Sequence, residues 1–226
     1  MKRFLPFLII AVVGLVTVGL AALVYRVKTQ PASAPAATAA AGTSKPAEAP
    51  EDPSLHVRGP RSAPVTLEIY GDFQCPSCST ASQAIDELQK QDEGKLRVIF
   101  HEFPLEMHRH AAEAAMAAEA AALQGKFWEM HDILYKYQLV WSRVNDINYF
   151  FESYAQSIGL DVARFRADRQ SADVQAHVIE DGKIGQARGV KNTPTIFLNG
   201  TEIKAVFTKD KLQEAIDAAL AAKKGP

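Results

Sequence analysis

The sequence predicts an α/β protein: a βαβ unit, a long helical segment and a closing ββα unit, preceded by an apolar N-terminal helix. Three observations carry this expectation. Apolar and β-branched residues cluster in short runs at 65–70, 96–103 and 195–206. Helical periodicity fills the stretch between the second and third runs. The only two cysteines of the 226-residue chain, Cys75 and Cys78, lie between the first strand run and the helix that follows it.

Phe4 to Tyr25 carry no charge and are long enough to cross a bilayer as a helix. Met1-Lys2-Arg3 precede them, as in a secretory signal or signal anchor. Arg26 and Lys28 follow before the small residues Ala32-Ser33-Ala34, which favours a retained anchor over residues 1–29, with cleavage after Ala34 as the alternative. Residues 30–54 are Ala- and Pro-rich and have no aromatic side chain, so they are expected to form a tether without a core of its own. Residues 55–226 are enough for one domain with a hydrophobic core. A net charge of −1 with no basic stripe gives no sign of nucleic-acid binding.

Within that body, Val65 to Tyr70 reads as a strand, broken by Gly71-Asp72-Phe73-Gln74. A helix is expected from Cys78 to Gln91 and a strand from Leu96 to Phe103, which makes the opening pair parallel. Helices follow at His110 to Leu123, Lys126 to Tyr137, Tyr149 to Ile158, Asp161 to Arg169 and Ala172 to Ala187, with Gly125, Gly159 and Gly189 as stops. The helical insertion thus covers about 106–188. Thr195 to Leu198, the turn Asn199-Gly200 and Thr201 to Val206 form a hairpin signal, and Thr208 opens a last helix through Leu220. Phe127, Trp128, Met130 and Tyr135 are expected to pack in the core.

The cysteine spacing carries the chemistry. Cys75 falls at a helix N-terminus, Pro76 suits the first helical turn, and slightly less than a turn separates the sulfurs, placing both on one face. Unpaired N–H groups and the helix dipole favour an anion there, which lowers the pKa of Cys75 and makes it the attacking thiolate, with Cys78 resolving the mixed disulfide. A structural disulfide is the bland alternative, although so short a loop constrains the unfolded chain little. A metal carrier is another. Zinc would need a second ligand pair, and His101, His108 and His110 do not supply one at the usual spacing. Copper carriers usually space their cysteines one residue wider. Of these histidines, two begin a polar helix where solvation is the ordinary outcome, and all three could otherwise line the approach to the cysteines. No metal, nucleotide or flavin cofactor is implied.

Four blocks extend the pattern: Gly71-Asp72-Phe73-Gln74-Cys75-Pro76-Ser77-Cys78, Phe103-Pro104-Leu105, Gly125-Lys126-Phe127-Trp128-Glu129-Met130-His131 and Gly189-Val190-Lys191-Asn192-Thr193-Pro194-Thr195. With these, the chain resembles the disulfide-bond oxidoreductase A (DsbA) family over most of residues 62–222. The resemblance implies a thioredoxin fold carrying a helical domain. It also implies a cis Thr193–Pro194 peptide facing the cysteines, where the Thr193 backbone pairs with an extended substrate. Pro76 and Ser77 would tune the redox pair. Ser77 stands where the best-known members carry His, which points to a milder oxidant with a Cys75 pKa on the order of 4 to 6. Relatives often place a glutamate six residues before the first cysteine; here that residue is Ile69, and Glu68 points to the opposite face of the strand. Either another acid or water would then serve Cys78, or its deprotonation would be slower than in relatives.

The expected activity is thiol-disulfide exchange outside the cytoplasm, with the body tethered to a bacterial cell membrane, or periplasmic or secreted if the signal is cleaved. The expected partners are reduced exported client proteins and a membrane redox partner, either a quinone-linked reoxidase or an electron donor. A reductase or isomerase of the same fold is the alternative direction, and a non-catalytic binding module the alternative class.

Overall fold

The parallel pairing that the βαβ pattern requires is present in the computed structural model, which describes residues 56–92, 94–204 and 207–224. Strand β2 (Val65–Gly71) runs parallel to β3 (Leu96–Glu102), with Ile69 opposite Phe100 and Gly71 opposite Glu102. Between them lies α1 (Pro76–Gln91). On its other side β2 pairs antiparallel with β4 (Thr195–Leu198), and β4 pairs with β5 (Thr201–Glu202). A strand the sequence did not suggest, β1 (His56–Arg58), joins β3 antiparallel. The sheet order among the described residues is β1-β3-β2-β4-β5. The expected membrane helix and tether lie outside the described residues; within them, no helix is long and apolar enough to cross a membrane.

Between β3 and β4 the chain forms α2 (Ala111–Ala122), α3 (Phe127–Lys136), the short α4 (Gln138–Trp141), α5 (Asn148–Ser157), α6 (Val162–Arg169) and α7 (Ala172–Ala187); α8 (Lys209–Lys224) closes the fold. The expected helices match within a residue or two, except that α4 was not anticipated and α8 runs further. Gly125, Gly159 and Gly189 end their helices in the left-handed region, with φ of 73°, 79° and 89°. Asn199 and Gly200 both have positive φ, as the type I′ hairpin turn demands. The second hairpin strand was expected to reach Val206 but is shorter, and Ala205 and Val206 lie outside the described residues.

Strand alternation divides the core. Leu67 and Ile69 on β2, with Val98 and Phe100 on β3, face α1 and join a cluster that continues through Phe127, Met130, Leu134, Trp141, Phe151 and Phe165 of the helical insertion. Each fully buried large apolar side chain here contributes about 1.5–3 kcal/mol. Phe127, Met130 and Tyr135 are core residues as expected, while Trp128 is half-buried and donates its indole N–H to the Val57 carbonyl at 3.0 Å. Tyr70, Phe103, Val190 and Phe197 form a smaller cluster on the opposite face, where Gly185 of α7 comes so close to Phe103 and Tyr70 that a Cβ would lie 2.7 Å from the Phe103 ring.

Candidate active site

The end of β2 and the start of α1 define the site. Cys75 caps the helix with extended backbone (φ −76°, ψ 121°), and Pro76 occupies the first helical position, where its missing N–H costs nothing. Pro76 and Ser77 are exposed, whereas Cys75 and Cys78 are 6% and 3% exposed and both carry free thiols. Cys75 is the outer of the two by a narrow margin.

Polar contacts fix this turn from the helical insertion. Asp72, 1% exposed, accepts hydrogen bonds from the Gln74 N–H at 2.7 Å, from the Leu105 N–H at 2.9 Å and from His108 Nδ1 at 2.7 Å. The side-chain amide of Gln138 on α4 donates to the carbonyls of Phe73 and Cys75 at 2.7 and 2.9 Å. Gln74 accepts from the His110 N–H at 2.6 Å and donates to the Ser142 carbonyl at 3.2 Å. The helical insertion therefore holds the cysteine turn through the Asp72 and Gln74 side chains and through the Phe73 and Cys75 carbonyls.

The Thr193–Pro194 peptide is cis. The Cys75 thiol donates to the Thr193 carbonyl at 3.4 Å, and Pro194 shares a small cavity with Cys78. The Thr193 hydroxyl is buried and meets no hydrogen-bond partner, yet it lies close enough to both sulfurs to favour their ionised forms. The two Thr193 groups oppose one another: the carbonyl favours the thiol by accepting from it, and the nearby hydroxyl, without a closed hydrogen bond, favours the thiolate by its dipole. The thiolate prevails at Cys75, whose pKa is lowered to about 5. The largest cause is a hydrogen bond from the Cys78 thiol; burial opposes it, and the backbone N–H of Cys78, Thr193 and the backbone N–H of Ser77 add smaller contributions. These amides act by proximity, since no side-chain capping hydrogen bond closes at Cys75. Cys78 goes the other way: burial pushes its thiol up, and its hydrogen bond and charge interaction with Cys75 push further.

The cavity beside Cys78 measures about 20 Å³, room for about one water, and Ile69, Asp86, His131 and Tyr135 also line it. Burial raises the pKa of Asp86, with Asp132 adding and Arg58 opposing. Glu68 points to the opposite face, where it pairs with Arg188. Glu102 lies opposite Gly71, is 0% exposed, and has neither carboxyl oxygen hydrogen-bonded; burial holds its pKa well above the usual range.

The structure thus brings Cys75, Cys78, Thr193 and Pro194 together and leaves Pro76 and Ser77 at the rim. The histidines behave differently from expectation. His110 is buried rather than solvated, bonded to the Val144 carbonyl and Glu113; His108 supports Asp72; His101 lies away from the thiols, stacked on Tyr70 and paired with Asp181. Asp72, Asp86, Gln138 and Tyr135 were missed as site residues. Only Asp72 had a local signal, inside the turn next to the cysteines, and it read as turn chemistry.

Fold and site define a thiol-disulfide oxidoreductase of the thioredoxin class. A family model described as thioredoxin matches residues 51–218, and the chain belongs to that family. A thioredoxin-like oxidoreductase from Silicibacter pomeroyi superposes with a TM-score of 0.64 at 26% identity, covering 77% of this chain and 95% of that one. Oxidised BdbD from Bacillus subtilis superposes with a TM-score of 0.66 at 25% identity, covering 74% and 94%. α-DsbA1 from Wolbachia pipientis, at 18% identity and a TM-score of 0.67 over 76% and 94% of the two chains, shares the fold. By sequence, the chain is 40% identical over 168 residues to a protein named Na(+)/H(+) antiporter NhaA 1 from Mycolicibacterium vanbaalenii. That match takes in 72% of this chain but spans only 26% of the antiporter's length.

Proposed function

We propose that this protein forms disulfides in exported proteins by passing them its Cys75–Cys78 disulfide. The observation that supports this most directly is the opposition between the two sulfurs: Cys75 held as a thiolate near pKa 5 at the helix N-terminus, Cys78 kept as a thiol by burial. A client thiolate attacks Cys75 Sγ, the S–S bond breaks, and the electron pair leaves on Cys78 Sγ, which takes up a proton. A second client thiolate then attacks the client sulfur of the mixed disulfide and expels Cys75 as a stable thiolate, a good leaving group. Two electrons pass from client to protein, and a quinone-linked membrane reoxidase takes them on. When no second client thiol is near, Cys78 attacks Cys75 and frees the client.

The Thr193 carbonyl, released when Cys75 ionises or is oxidised, accepts an N–H from an extended client, with Pro194 fixing the loop. Recognition through main chain suits many clients. A groove of about 610 Å³ between Phe103-Pro104-Leu105 and α7 reaches Val190 and Lys191, next to this loop, and offers room for client side chains. The redox cysteine pair, together with the apolar N-terminal segment, supports a catalytic body outside the cytoplasm, where such disulfides persist.

The test uses oxidised full-length protein and a reduced, unfolded client. Cys75→Ser and Cys78→Ser each abolish oxidation of the reduced client. Given the client in its disulfide form instead, Cys78→Ser accumulates a mixed disulfide on non-reducing gels, because its Cys75 thiolate attacks the client disulfide, one client sulfur leaves as a thiol, and no Cys78 is present to resolve the bond. A variant pair that binds client as well as wild type, with no mixed disulfide in either, would mean a binding module instead.

A further inference from the structure

His56 on β1, Glu119 on α2 and His177 on α7 come from three separate elements, and their ligating atoms all lie within 4.8 Å of one another. His56 Nε2 is 2.6 Å from one Glu119 carboxyl oxygen, and His177 Nδ1 is 2.9 Å from the other. The thiol chemistry uses none of them. A carboxylate inside an Ala-rich helix is costly unless it is paired. Burial pushes Glu119 up, but hydrogen bonds with His177 and His56 outweigh it and leave its pKa below the ordinary value.

The cluster is built rather than loose. His56 and Glu119 are 8% and 5% exposed. The His56 ring lies flat on Phe127, with centroids 3.4 Å apart and planes 1° from parallel, which fixes the direction of Nε2. His177 meets the His56 ring edge-on at 5.9 Å. A cavity of about 280 Å³ opens beside the three, and Asp173, one turn before His177 on α7, also lines it.

We propose that His56, Glu119 and His177 form a binding site for a divalent transition-metal ion of the zinc type, with its fourth position open to this cavity. Two imidazole nitrogens and one carboxylate oxygen are a recurrent three-ligand zinc set, and the remaining corner takes water or Asp173. Calcium and magnesium prefer oxygen ligands throughout, so they do not suit this set. On ion entry each imidazole presents a lone pair, carrying its proton on the other ring nitrogen, and a proton leaves any imidazolium. The 2.6 Å contact then opens to roughly 3.3 Å, the edge of a tetrahedron with bonds of about 2.0–2.1 Å. The ion clamps the short edge strand β1 to two helices of the insertion.

The experiment titrates full-length protein in detergent with Zn²⁺, Ca²⁺ or Mg²⁺ by calorimetry and follows the thermal melt. The cysteines are kept as the disulfide so that they cannot ligate. One Zn²⁺ per chain at micromolar affinity or tighter, a raised melting temperature, and no response to Ca²⁺ or Mg²⁺ are expected. Glu119→Gln and His177→Ala each weaken Zn²⁺ binding at least tenfold. Glu119→Gln perturbs a buried group, so if it fails to fold, His177→Ala, at a half-exposed position, decides. Folded wild-type protein that takes up no Zn²⁺, or binding that His177→Ala leaves unchanged, overturns the proposal.

Discussion

The Thr193 carbonyl accepts the Cys75 thiol hydrogen at 3.4 Å, so the loop before the cis proline touches the reactive sulfur directly. Ionisation of Cys75 removes that bond and leaves donors in charge: the Cys78 thiol, nearby helix N–H groups and the Thr193 hydroxyl. The site is therefore organised for the thiolate, which is the reduced form.

Alkylation of the reduced protein should show this. The rate of iodoacetamide modification at Cys75 should follow a single titration with its midpoint near 5, and Cys78 should stay unmodified. The lowered pKa stabilises the folded, reduced protein fully above the unfolded thiol pKa of about 8.5, and the stabilisation is lost as pH falls through about 5. Cys78, raised instead, begins to oppose folding above that same unfolded value. Melts of reduced and oxidised protein should accordingly diverge in favour of the reduced form between about pH 5 and pH 8, and the gain should be gone at pH 4.

Thr193→Val removes a buried hydroxyl that has no hydrogen-bond partner apart from what the sulfurs offer. The hydroxyl is one of the smaller contributors to the lowered pKa of Cys75, so the alkylation midpoint should rise, by less than about one pH unit. The melting temperature at pH 4, where Cys75 is protonated, should hardly change. An unmoved midpoint would assign Thr193 a backbone role alone.

Asp72→Ala deletes the acceptor of two main-chain N–H groups and of His108. With these part-buried donors left unpaired, the cost should be about 3 kcal/mol in urea unfolding. The cysteine turn should loosen with it, visible as faster proteolysis at residues 72–75.

Asp86→Asn tests the route by which Cys78 loses its proton. Asp86 lines the same cavity as Cys78, burial raises its pKa against the opposing Arg58 guanidinium 2.7 Å away, and the shift makes its carboxylate a better proton acceptor. Release of a trapped client by Cys78 should slow by at least about tenfold, while alkylation of Cys75 should be unaffected. Equal slowing of both would mean a general disturbance of the site.

Much of this was legible because the signals are local. Strand, turn, proline and two cysteines occur within 14 residues, 65–78, and the glycines that end the helices are read directly from sequence. What stayed hidden depends on distant partners. His56-Val57-Arg58 is too short and polar to read as a strand and exists because β3 offers an edge. Gln138 lies just past the helix expected to end at Tyr137, and nothing local pairs it with Phe73, 65 residues away in sequence, whose carbonyl it reaches at 2.7 Å. His110 seemed set for solvent at a helix start, and the turn before α5 buries it through the Val144 carbonyl. Glu119 reads as the polar face of an Ala-rich helix, since neither histidine that flanks it is near in sequence.

The redox potential of the Cys75–Cys78 pair, measured by equilibrating the protein with glutathione buffers, tests the central claim most directly. A thiolate-favouring site predicts an oxidising potential, between about −180 and −120 mV. A value below about −250 mV, or a pair that never titrates, would contradict disulfide donation.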